Sequence, residues 1–179
     1  MADKDRAIVI KAEPDSNPNG VKFGMFYEGV GTDNLEFSKD KDGMKRSEHY
    51  KLTLTLNDTS GLKLRFVSKK ADAMWVHKIA DPSSYQCPPP NSHLDGFAAT
   101  HVTDTELTIQ NKDEDVEFLA FALNFVKDGD DDKDPANYIQ YDPIVTNKNG
   151  GTNMEAKVVV IAAVVVVVAV AAVVALTGI

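Results

Sequence analysis

From Val158 to Leu176 the chain carries 19 consecutive residues that are only Val, Ala, Ile or Leu, following a strongly polar stretch. At 1.5 Å per helical residue this run extends roughly 28 Å, close to the hydrocarbon thickness of a bilayer. Val favours strands in water. In lipid, however, backbone groups must be satisfied within the segment, which leaves a helix as the form that can span. We therefore expect a C-terminal hydrophobic α-helix over 158–179, reached through a polar, flexible linker over 148–157 that includes Asn149-Gly150-Gly151-Thr152-Asn153. Lys148 and Lys157 flank its N-terminal end, so the positive-inside tendency keeps the preceding domain cytoplasmic, as in a tail-anchored protein.

The run can also associate. Ala171 and Ala175 fall four apart on one helical face, with Gly178 about one turn on, and such small residues let helix backbones approach closely. Val158–Leu176 is thus expected to meet either a membrane or an apolar protein core, with a homo-oligomer as the outcome. In the second case many tails would bundle into the core of a filament, with the acidic domains outside.

All 19 Lys and Arg and all 27 Asp and Glu lie between Asp3 and Lys157. A net charge of −8 keeps such a domain soluble and argues against a nucleic-acid partner, which needs clustered Lys and Arg. The opening Met-Ala-Asp-Lys-Asp-Arg has no apolar stretch of the secretory kind. A single cysteine, Cys87, cannot form an internal disulfide. Both features fit a reducing cytoplasm.

Residues 1–147 read as strands and turns. Tyr50, Leu52, Leu54 and Leu56 alternate with Lys51, Thr53 and Thr55, as in a strand with one buried and one wet face. After the turn Asn57–Gly61, Leu62, Leu64 and Phe66 continue the pattern, and the two segments are expected to form a hairpin. Further strands are expected at Ala7–Ala12, Val21–Tyr27, Ala73–Ile79, Leu107–Gln110, Val116–Val126 and Tyr138–Val145. Apolar residues on both parities of Val116–Val126 mark it as central, and Trp75, Phe118, Phe121 and Phe125 are assigned to the core. Residues 81–97 form a long loop rich in Pro and Ser. The economical arrangement is mainly β: an antiparallel, immunoglobulin-like β-sandwich without the Cys…Trp…Cys pattern of antibody domains.

Little in the sequence points to chemistry. Asp128, Asp130, Asp132 and Asp134 place carboxylates at alternate positions, as Ca²⁺ loops do, and are the candidate metal ligands. An EF-hand would need Gly at its sixth position and an acid at its twelfth, which here are Lys133 and Ile139. The expectation is a solvated acidic loop, with a Ca²⁺- or small-ligand-binding module on a membrane as the alternative. Cys87 and the four histidines have no zinc-like spacing. No nucleophile elbow, phosphate loop or dinucleotide fingerprint occurs, so neither an enzyme nor a cofactor is expected.

Leu107–Asp115, then Phe118 to Phe125, then Tyr141-Asp142-Pro143-Ile144-Val145-Thr146-Asn147 and on to Gly151 resemble the bacterial DP-EP family of small β-sandwich proteins. The resemblance covers residues 85–151 and includes Cys87-Pro88, although no Glu-Pro follows Asp142-Pro143. It implies the sandwich and no catalytic or ligand residues.

Overall fold

The alternation around residue 50 becomes strand β5 (Tyr50–Asp58), with Tyr50, Leu52, Leu54 and Leu56 buried and Lys51 and Thr55 exposed. In the computed structural model, which describes residues 3–148, β5 lies within a six-stranded sheet. From one edge to the other this first sheet runs β3 (Val30–Gly31), β2 (Val21–Tyr27), β1 (Lys4–Pro14), β5, β9 (Glu106–Asn111) and β8 (Phe97–Val102). The second sheet is built on β10 (Val116–Lys127). On one side of it lie β11 (Ile139–Tyr141) and β12 (Ile144–Lys148), with β4 (Asn34–Phe37) at the edge beyond β12. On the other side lie β6 (Leu64–Phe66) and β7 (Met74–Ile79), separated by the single helical turn α1 (Lys70–Ala73).

The two sheets pack as a β-sandwich, and aromatic pairs join them. Phe23 of β2 stacks on Phe125 of β10 at 4.9 Å between ring centres. Phe37 meets Tyr50 at 4.8 Å, and Phe97 meets Phe121 at 5.5 Å. Such pairs add about 0.5–1.5 kcal/mol each to the burial of the rings themselves.

Three sequence expectations are corrected. The sheets are mixed rather than antiparallel: β1 runs parallel to β5, and β12 parallel to β4. Alternation reports which face is buried and carries no strand direction, so it could not have told the two arrangements apart. The hairpin between β5 and β6 does not form, because both edges of β5 are taken by β1 and β9. The chain instead crosses to the second sheet, where β6 pairs with β10. Asp58 secures the crossing by accepting hydrogen bonds from the Ser60 and Leu64 backbone N–H groups at 2.9 and 2.8 Å. Third, Phe118 is only half-buried and, like the buried Trp75, stands on the outward parity of β7 and β10, so that of the four aromatic residues only Phe121 and Phe125 face the first sheet.

β10 is central, as its apolar residues on both parities require, and Leu119 to Val126 are all buried. β11 and β12 form one line along it. Asp142-Pro143 interrupts the ladder without shifting register, and Phe121 N–H still reaches the Pro143 carbonyl at 3.2 Å. β12 takes in Lys148, so the head extends one residue past its expected boundary. The rest of the linker, the run Val158–Leu176, and Ala171, Ala175 and Gly178 lie outside the described residues.

Candidate functional site

Parity along β1 sets up the most chemically pronounced place in the fold. Ile8, Ile10 and Ala12 face inward, and two residues earlier on the same face stand Arg6 and Lys4. Two cations pointed toward an apolar interior need a counter-charge, and Asp42 supplies it from the connection between β4 and β5. Arg6 Nη2 meets Asp42 Oδ2 at 2.5 Å, Lys4 Nζ meets Oδ1 at 2.8 Å, and the Tyr50 hydroxyl donates to Oδ2 at 2.7 Å. Burial alone would raise the Asp42 carboxyl. The bonds from Arg6, Lys4 and Tyr50 overcome that and hold it far below the usual carboxylate range. The Arg6 guanidinium also lies over the rings of Tyr27 and Tyr50, at 5.5 and 5.7 Å.

Arg6 forms one wall of a cleft of about 260 Å³ at the open side of the sandwich. The chain makes this side by stepping from β3 in one sheet to β4 in the other through Thr32 and Asp33. Ile8, Leu35 and Phe37 give the cleft an apolar floor, Tyr27, Thr32 and Asn34 add polar walls, and Val30, 68% exposed, stands at the mouth. The Thr32 hydroxyl donates to the Asn34 carbonyl at 2.6 Å and accepts from its N–H at 3.1 Å, which closes part of the β4 edge. Glu36, the other charged lining residue, is tied to Lys148 at 2.6 Å.

A second polar layer lies deeper. Asn111 and Asn147 exchange amide hydrogen bonds of 2.8 and 3.2 Å across the sheets, and Asn147 also reaches Glu117 at 3.4 Å. Lys39 is buried and donates to the Arg46 carbonyl at 3.0 Å. Near it lies buried Asp113, in the left-handed region at φ 45°. Burial pushes the Asp113 carboxyl up to about 7, against the pull of the Lys39 ammonium.

The residues singled out from sequence are placed elsewhere and used separately. Asp132 accepts from Ser68 and ion-pairs with Arg65 at 3.3 Å, while Asp134 caps the short helical turn Pro135–Asn137. The Arg65 guanidinium also reaches the Asp130 carbonyl at 3.3 Å. The structure does not gather Asp128, Asp130, Asp132 and Asp134 into one ligand set. Among the described residues no group of three or more His, Cys, Asp or Glu side chains is placed to hold a metal. Cys87 is exposed as a residue, yet burial of its sulfur and the Asp142 charge beside it push the thiol up to about 11. A thiol so protonated at neutral pH is a poor nucleophile.

None of the cleft residues was singled out from the sequence, although one signal was there. Arg6 and Lys4 carry charge on the parity that Ile8 and Ile10 mark as buried, and a charge on a core-facing position implies a partner. No family model matches this chain, and no curated protein matches it either.

Proposed function

We propose that this protein is a non-enzymatic display module: an acidic β-sandwich head held at a membrane or in an apolar assembly by Val158–Leu176. One observation carries the reading. Residues 3–148 supply a core of their own, closed between two sheets and cross-linked by aromatic pairs, so that core has no call on the 19-residue apolar run. A span of this length and composition then needs another apolar solvent. No helix among the described residues is long and apolar enough to cross a membrane, which leaves the run as the candidate span. The immunoglobulin-like likeness, the kinship with the DP-EP family, a cytoplasmic head and self-association through Ala171, Ala175 and Gly178 belong to the same proposal.

Deleting residues 152–179 tests it. The expected product is a folded, soluble monomer, with the full chain found in the membrane fraction or in polymers visible by electron microscopy. A truncated head that aggregates or fails to fold, or a full chain that stays monomeric in buffer without detergent, would overturn the proposal.

A further inference from the structure

We propose that the cleft between β1 and β4 binds a small monocarboxylic acid with an apolar body, its carboxylate on Arg6 and its body on Ile8, Leu35 and Phe37. This inference is independent of where the C-terminal run resides. It begins with unused hydrogen-bonding capacity. A guanidinium carries five N–H donors, and among the described residues Arg6 donates through Nη2 alone, to Asp42. Its side chain is 18% exposed. Arg6 lines the cleft, and an acceptor placed there would complete its bonding.

The charge and shape of the cleft narrow the class. The Glu36 carboxylate is neutralised by Lys148, and one carboxylate, Asp42, answers two cations, Arg6 and Lys4. A single negative charge completes that set, whereas a dianion such as a phosphate monoester would bring a second charge over an apolar floor. A cationic ligand would meet Arg6 head-on. A volume of about 260 Å³ lies below the roughly 300–1,000 Å³ of drug-sized ligand sites, so the ligand is small.

The test uses the full chain in a non-ionic detergent, titrated by calorimetry with 3-phenylpropionate and, separately, with its neutral amide. The acid should bind at least about 10-fold more tightly than the amide, because only the acid makes a charge-assisted bond to Arg6. Arg6→Gln should abolish that preference. Arg6 is also structural, so Val30→Glu provides a variant at an exposed position that leaves the fold alone. It should weaken the acid several-fold more than the amide, because the new carboxylate at the mouth repels only the acid. Equal binding of acid and amide, no binding of either at 10 mM (about the weakest affinity a built site would show), or indifference of the acid to Val30→Glu would each overturn the assignment.

Discussion

Two regions of this sandwich bury polar groups, and they do so on opposite terms. Around Asp42, two cations and a phenol converge on one carboxylate, and each of its oxygens is bonded. On the outward side of the second sheet and the Pro-rich segment after it, three buried polar atoms have no hydrogen-bond partner among the described residues. They are Trp75 Nε1, His77 Nδ1 and Ser92 Oγ. The difference follows from what builds each region. Strand β1 and the connection carrying Asp42 present side chains chosen for one another. The segment over the second sheet contains Pro88-Pro89-Pro90, which bring no N–H at all. Its side-chain link to β11 is a Cys87 sulfur 3.9 Å from the Gln140 amide oxygen. Burial by itself therefore does not stabilise a polar group; a bonded partner does.

The largest test of that contrast removes the hub of the satisfied region. Asp42→Ala leaves Arg6 and Lys4 facing an apolar interior and orphans the Tyr50 hydroxyl. Breaking such a pair from one side costs about 3–5 kcal/mol when fully buried. With Asp42 and Arg6 side chains 21% and 18% exposed, we expect somewhat less, about 2–4 kcal/mol by urea unfolding. A loss below about 0.5 kcal/mol would mean that water already serves these groups. The acid limb of stability should carry the same signature. Asp42 titrates lower in the folded chain than in the unfolded one, so its contribution is present above about pH 4 and is lost as the pH falls further.

Asp113 titrates in the opposite sense and gives an effect of comparable size. Its folded carboxyl sits at about 7, above the roughly 3.9 of an unfolded aspartate. Its contribution is therefore fully present below about pH 4 and is lost as pH rises through 7. Asp113→Asn should remove that decline, up to about 4 kcal/mol between pH 4 and 8, in a pH series of unfolding free energies. Asn tolerates the left-handed φ of 45°, so the substitution leaves the turn unstrained. An unchanged slope between pH 4 and 8 would show that the carboxyl titrates normally.

How much of this could be read from the sequence depended on periodicity. The limits of β2 and the central place of β10 were legible because their apolar residues follow the pleat, and β10 is apolar on both parities. β4 and β8 were missed: β4 is four residues long, and along β8 only Phe97 is buried. Which sheet a strand joins was hidden as well, since the pattern of β6 fits a neighbour of β5 as well as one of β10. The cleft needed one more inference than periodicity supplies, because it lies between β1 and β4, which stand in different sheets and are brought together by the crossing through Thr32 and Asp33. The unpaired atoms of the outward face were invisible for a related reason: Trp75 reads as core whichever face it covers.

The smallest expected effect falls on that Trp75. Replacing a buried Trp by Phe normally destabilises, because the lost ring area leaves a cavity that neighbours fill only in part. Here the indole N–H is buried with no acceptor among the described residues, and leaving such a donor unsatisfied costs about 1–3 kcal/mol. Trp75→Phe removes that cost together with the ring area, and Tyr138, 5.9 Å away between ring centres, can lean into part of the space. The two contributions oppose, and the net change should stay within about 1 kcal/mol. The matched change in the other region is Tyr50→Phe, which also deletes a polar hydrogen from a buried aromatic ring. There the hydroxyl donates to a charged acceptor, so about 1.5–3 kcal/mol should be lost. Unfolding both variants in urea under one set of conditions compares the regions directly. If Trp75→Phe cost as much as Tyr50→Phe, the indole N–H would have to be bonded in solution, and the contrast between the two regions would fail.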